Sequence, residues 1–318
     1  MSAEGGTKAV IAALLANTGI AISKFIAFAL TGASSMLAEG IHSVADSGNQ
    51  GLLLLGGKRA RRAATPEHPF GFGRERYLYS FMVAIVMFSV GGLFALYEAY
   101  HKYHEVHAGH PNELITGRWW WVAVVVLVAA IAMEGFSFRT AIVESDKVRG
   151  EASWPEFIRR AKSPELPVIL LEDFAALIGL CLALLGVTLS RWTGNGYFDV
   201  AGTAGIGLLL VCVAIVLGLE TKSLLLGESA NPVVQRRIRE ALEATPGIER
   251  VIHMKTLHLG PEELLVAVKI GSPRECTAEE LARNIDTAER AIRGAEPMAR
   301  VIYIEPDIYR DPAAQSAR

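Results

Sequence analysis

Six apolar segments, at about 8–32, 34–55, 77–100, 119–142, 166–189 and 198–219, each reach the roughly 20 residues that a helix needs to cross the hydrocarbon core of a bilayer. Trp119, Trp120 and Trp121 open the fourth segment and Trp192 follows the fifth, as an interfacial aromatic belt requires. Segments two and five carry most of the acids, so they are expected to face the protein interior or a wet path, not lipid. After about Glu228 the pattern becomes that of a soluble domain. NPVVQRRIREALEAT reads as an amphipathic helix with Val233, Ile238 and Leu242 on one side, stopped by Pro246-Gly247. VIHMKTLHLG and ELLVAVKIG read as strands joined at Gly260-Pro261. TAEELARNIDTAERAIRGA reads as a helix opened by a Thr277/Glu280 capping box, and ARVIYIEP as a last strand. The order αββαβ predicts a small α+β domain of ferredoxin-like type, with its helices on one face of a three-stranded sheet.

Composition agrees: 51% hydrophobic residues and a mean hydropathy of +0.32 describe an integral membrane protein. The expected division is an all-α membrane domain of six transmembrane helices over 1–227, a soluble domain over 228–312, and a disordered tail at 313–318. Net charge is −2, which excludes electrostatic nucleic-acid binding as a leading function. Cys181, Cys212 and Cys276 are too scattered for a disulfide framework or a CxxC zinc site. The N-terminal MSAEGGTK has no signal-peptide layout, so the first apolar run is expected to be a retained helix.

Lys58, Arg59, Arg61, Arg62, Arg74 and Arg76 fill the second loop, and Lys147, Arg149, Arg159, Arg160 and Lys162 the fourth, whereas the third loop holds one Lys and the fifth Arg191 alone. The positive-inside rule therefore puts both termini in the cytoplasm, and a short N-terminus with no targeting layout makes a cell membrane the expected location.

Polar residues inside the spans mark the candidate chemistry, because charge in a lipid-length helix is costly. His42 and Asp46 are four apart and share a helix face, and Glu39 borders it. Imidazole and carboxylate together suit Zn²⁺ and other first-row divalent ions. Glu172 and Asp173 are adjacent in LPVILLEDFAALIGL and lie about 100° apart around a helix, so one is expected as a ligand and the other as a supporting group. A buried hydrogen-bonded pair that locks one helix against another is the alternative reading of segment two taken alone. Glu134 and Glu98 are weaker candidates for a path lining or a hydrogen bond to a neighbour, Asn17 and Asn49 for interhelical hydrogen bonds, with Asn49 also a candidate to add an oxygen, and Lys24 for snorkelling or pairing with an intramembrane acid. His101, His104, His107 and His110 recur in the third loop and read as a solvated stretch in preference to a metal site.

Three stretches carry a resemblance to a known family: SSMLAEGIHSVADSGNQ, EHPFGFGRERY and LLEDFAALIG. They resemble the second-helix metal motif, the pre-helix-three signature and the fifth-helix metal segment of the cation diffusion facilitator family, across nearly the whole chain. The branch containing the ninth mammalian zinc transporter is the most similar. The resemblance implies a secondary active transporter, not an enzyme, that exports a divalent cation, foremost Zn²⁺, from the cytoplasm in exchange for protons. It implies no catalytic cofactor, a homodimer formed through the cytoplasmic domain, and no nucleic-acid partner. The implied metal residues are His42, Asp46 and Asp173, with Glu172, or else Glu39, Asn49 or water, as a substitute ligand, because the family's other fifth-helix ligand position is Ile169 here. Of a second family site only His68 is matched, Phe72 standing at the next position, so that site is expected to be absent or weak. In the soluble domain His253 occupies a strand position suited to a family zinc site and His258 lies near it in sequence, but Lys269 and Tyr303 stand where further histidines would be expected, so no zinc cluster is expected there. The alternatives are the same transporter with Mn²⁺, Fe²⁺ or Co²⁺ as its main ion, a non-transporting membrane metal sensor, or an intramembrane hydrolase, the last disfavoured by the lack of an HExxH-like motif.

Overall fold

The computed structural model describes residues 2–31, 34–109 and 120–309, without the side chains of 2–8, 27, 28, 30–39, 41 and 42. The tail predicted at 313–318, His110 and Trp119 therefore lie outside the described residues. So do the side chains of Glu39 and His42. The chain divides into two compact units, Met1–Arg59 with Glu75–Lys222, and Ala60–Arg74 with Ser223–Arg318.

The first unit is helical. Its long helices are α1 (Ser2–Thr31), α2 (Ser34–Ala60), α3 (Glu75–Val86) running through a π-helical stretch at Met87–Leu93 into α4 (Phe94–His107), α5 (Trp120–Arg149), α7 (Glu165–Thr193) and α8 (Tyr197–Leu226); α6 (Trp154–Arg160) is short. A helix satisfies all its backbone groups within one segment, which is what hydrocarbon surroundings demand. Among the described residues, five of these, all but α2, are long and apolar enough to cross a membrane by length and composition. Polar positions at Ser43, Asp46, Asn49, Lys58 and Arg59 dilute the apolar character of α2.

Two expectations change here. The third span was expected to end near Tyr100, with the histidines in a loop, but the helix continues to His107. Ring contacts between side chains four apart support that extension: Tyr100 on His104 at 4.5 Å and Tyr103 stacked on His107 at 5.9 Å. Lys102 Nζ anchors it to Asp199 on α8 at 3.2 Å. The basic fourth loop is likewise shorter than expected, since α5 continues to Arg149 and α6 occupies much of the remainder.

The membrane-type core joins Val10, Leu53, Val83, Ala141, Leu166, Ile169 and Leu217, all buried, from six helices. Small residues let the backbones approach: a Cβ on Gly207 of α8 would fall 2.9 Å from the backbone nitrogen of Leu96 on α4. At the start of α3, Arg76 forms an ion pair with the buried Glu165 at the start of α7.

The second unit contains α9 (Pro232–Glu243), β1 (Arg250–Gly260), β2 (Glu263–Gly271), α10 (Ala278–Ala295) and β3 (Ala299–Asp307), the αββαβ order read from the sequence. β1 pairs antiparallel with β2, and β3 parallel with β2 across the α10 crossover. Leu264, Val266, Val268 and Ile270 alternate along β2 into a core closed by Ile238, Leu242, Ala288 and Ile292. The inward stripe of α9 is Val234, Ile238 and Leu242, not Val233, which is 60% exposed. Asn231 caps α9 by accepting from the backbone nitrogen of Val234 at 2.9 Å, and this sets which of the two valines turns inward. The capping box of Thr277 and Glu280 is formed in full. The backbone N–H and hydroxyl of Thr277 hold the Glu280 carboxyl below its ordinary range, and Glu305 and Asp307 hold the Lys269 ammonium above its own.

Candidate functional site

A cavity of about 80 Å³ lies inside the first unit, room for an ion with a few waters. All six long helical segments line it. α1 contributes Asn17 and Lys24, α2 contributes Ser43, Asp46 and Asn49, α5 contributes Glu134, and α7 contributes Glu172. The π-helical stretch adds Met87, Val90 and Gly91, and α8 closes the apolar side. π-Helical insertions in α-helices often mark functional positions, and this one faces the cavity.

Glu172 is buried and held by two amides of α2. Asn49 Nδ2 donates to its Oε1 at 2.9 Å and Gln50 Nε2 to its Oε2 at 2.8 Å. Asn17 Nδ2 donates in turn to Gln50 Oε1 at 3.3 Å, so one network ties α1, α2 and α7. Buried carboxylates persist only when donors satisfy their oxygens. Asn49 Oδ1 is buried and accepts no hydrogen bond among the described residues. It supplies an unused oxygen one turn from Asp46.

Asp173 turns away from Glu172, as adjacent residues on a helix must. Ser137 Oγ of α5 donates to its Oδ2 at 2.7 Å, and the Glu134 carboxyl lies against it. Asp173 is fully buried and does not line the cavity. Ile169 is also fully buried, within the apolar core, and offers no ligand atom. Among the described residues no three His, Cys, Asp or Glu side chains come together closely enough to hold a metal. Of the four metal residues read from the sequence, Asp46 and Glu172 share the cavity, Asp173 sits behind it, and the His42 side chain is outside the described residues.

The remaining candidates have other surroundings. Glu98 lies on α4 and does not line the cavity. His107 Nδ1 is 3.3 Å from the hydroxyl of Tyr197, within the aromatic ladder of α4. His68 packs on Phe72 at 4.7 Å. In the second unit His253 is exposed, His258 is buried, and Lys269 pairs with Glu305 and Asp307, each at 3.0 Å. Sequence reasoning gave Gln50 and Ser137 no role, yet they position both acids of α7. An uncharged polar residue in an apolar run was the available signal.

The cation efflux transmembrane domain profile matches residues 10–226. A similar relative is the "Proton-coupled zinc antiporter SLC30A9, mitochondrial" of Mus musculus, 32% identical over 260 residues, covering 81% of this chain and 44% of the relative. "Metal tolerance protein C4" of Arabidopsis thaliana is 28% identical over 256 residues, covering 80% of this chain and 54% of the relative. The chain thus spans about half or less of the length of these relatives. A solved C-terminal domain of MamM in its nickel form is 25% identical, covering 25% of this chain and 100% of that one, with a TM-score of 0.24. The mouse relative is an antiporter by name, not an enzyme. The expectation of a cell membrane is overturned, because similar antiporters from several animals are named mitochondrial. A short polar stretch such as MSAEGGTK does not distinguish one membrane from another.

Proposed function

Because this chain belongs to the cation diffusion facilitator family of cation efflux proteins, we propose that it is a proton-coupled antiporter of a divalent cation, foremost Zn²⁺. The observation that carries this reading is the cavity that Asp46, Glu134 and Glu172 line from three helices. Carboxylates at that depth are expensive unless a cation or protons repay them. The zinc and proton assignments follow the name of the mouse relative.

In this reading all six long helical segments span the membrane, the membrane domain runs over 1–227, and the domain over 228–312 is ferredoxin-like and pairs two copies of the chain. The ion enters from the side of the basic loops and binds Asp46, Glu172 and the imidazole of His42, one turn before Asp46. Asp173 joins the ion when α5 and α7 shift, giving up its bond from Ser137. These ligands bind metal only as neutral imidazole and ionised carboxylate, so protons from the far side displace the ion. Rocking of the helices around the cavity alternates its access. The buried Ile169 favours a second reading, in which an ion more tolerant of oxygen ligands, such as Mn²⁺ or Fe²⁺, is the main substrate.

Proteoliposome flux of several divalent ions under an imposed pH gradient tests the proposal. Asp46→Ala and Asp173→Ala should each abolish Zn²⁺ flux. Undiminished flux in both would remove the site assignment, and absence of flux for every ion in the wild-type chain would favour a metal sensor.

A further inference from the structure

Lys24 is 4% exposed and lies seven residues after Asn17, two turns along the same face of α1. Its Nζ donates to Ser43 Oγ at 2.9 Å, and both side chains line the cavity that Asp46, Glu134 and Glu172 line. Among the described residues lining that cavity, Lys24 is the one cationic side chain. A hydroxyl does not offset the desolvation of an ammonium, whereas nearby carboxylates do. The ammonium therefore occupies the electrostatic place that a divalent cation would take, without being a ligand atom.

We propose that Lys24 is a tethered counter-ion of the transport cavity, a positioning residue that balances its carboxylates when no ion is bound and opposes the ion when one enters. This deepens the transport reading and rests on it. A transporter needs binding favourable enough to load and weak enough to release. A fixed positive charge in a low-dielectric cavity shifts that balance toward release, because like charges interact strongly there. Ser43 sets the location of that charge, holding it on the α2 side, within one turn of Asp46.

The test is equilibrium Zn²⁺ binding to the full chain in lipid nanodiscs, by competition with a fluorescent chelator at one pH. Lys24→Gln and Lys24→Met should each bind Zn²⁺ at least tenfold more tightly than wild type, with lower KM and lower maximal flux in proteoliposomes. Lys24→Arg, which keeps the charge, should stay within about threefold of wild type. An unchanged or weaker affinity in the neutral variants would overturn the proposal. If neither neutral variant folds, Ser43→Ala decides: an ammonium released from its tether competes more freely for the carboxylates, so Zn²⁺ affinity should fall at least threefold, and an unchanged or tighter Kd would overturn the idea. Asp46→Ala and Asp173→Ala are measured alongside. Wild-type binding in both would remove the site reading itself. Binding lost in them, with Lys24→Gln at wild-type affinity, would remove only the role of Lys24.

Discussion

Gln50→Leu is the sharpest probe of how the site is held. Gln50 is fully buried and makes two bonds that its replacement cannot: its Nε2 donates to Glu172 Oε2 at 2.8 Å, and its Oε1 accepts from Asn17 at 3.3 Å. Hydrogen bonds in water-soluble proteins are worth about 0.5–1.5 kcal/mol, and about 1.5–3 kcal/mol where one partner is charged. Interhelical polar bonds in membranes average about 0.6 kcal/mol and reach about 1.7 kcal/mol, so the upper membrane value suits this short bond and the mean suits the longer one. The sum is about 2 kcal/mol, or a fall in Tm of about 4–8 °C for a domain of this size. Thermal melts of the purified protein in one detergent would measure it. The cost arises from a buried carboxylate left short of a donor, so Gln50→Leu/Glu172→Leu should be less destabilised than the sum of the single variants. A Tm within 1 °C of wild type for Gln50→Leu, or strict additivity in the double variant, would refute the network as the element that positions Glu172.

Three further outcomes are expected. Arg76→Met should destabilise the helical unit by about 3 kcal/mol or more, by leaving Glu165 buried without its cation; the double variant Arg76→Met/Glu165→Leu should recover much of this, read as Tm. Thr277→Ala should cost the C-terminal domain about 1 kcal/mol by removing the N-cap of α10, measured by chemical denaturation followed through backbone circular dichroism. The lowered pKa of Glu280 means that its share of the cap is complete above the unfolded value of 4.5 and fades as pH falls through the lower folded value; Glu280→Gln should flatten that step in an acid titration, and an identical acid profile for both proteins would contradict it.

Much of the architecture was legible because its signals are local. Runs of twenty apolar residues place helices wherever the backbone must bond to itself. The Thr277/Glu280 box and the alternation along ELLVAVKIG needed no knowledge of distant residues. Errors came where a local pattern had two readings. Val233 and Val234 are neighbours, and Asn231 capping decided which one turned inward. The histidines after Tyr100 are as polar in a helix as in a loop, and their tyrosine contacts and the Lys102–Asp199 pair made the difference.

By itself, the sequence determined that acids at Asp46, Glu172 and Asp173 stand in membrane-length helices, that position 169 lacks a ligand, and which family the chain resembles. Only the tertiary structure decided that Glu172 faces the cavity while Asp173 faces Ser137, and that Lys24 and Glu134 join the same space as Asp46. The physical reason is range. Hydropathy and capping are set within a few residues, whereas the rotation of each helix about its own axis follows from close packing against its neighbours. Residues 24, 46, 134 and 172 meet through those rotations, which no single helix encodes.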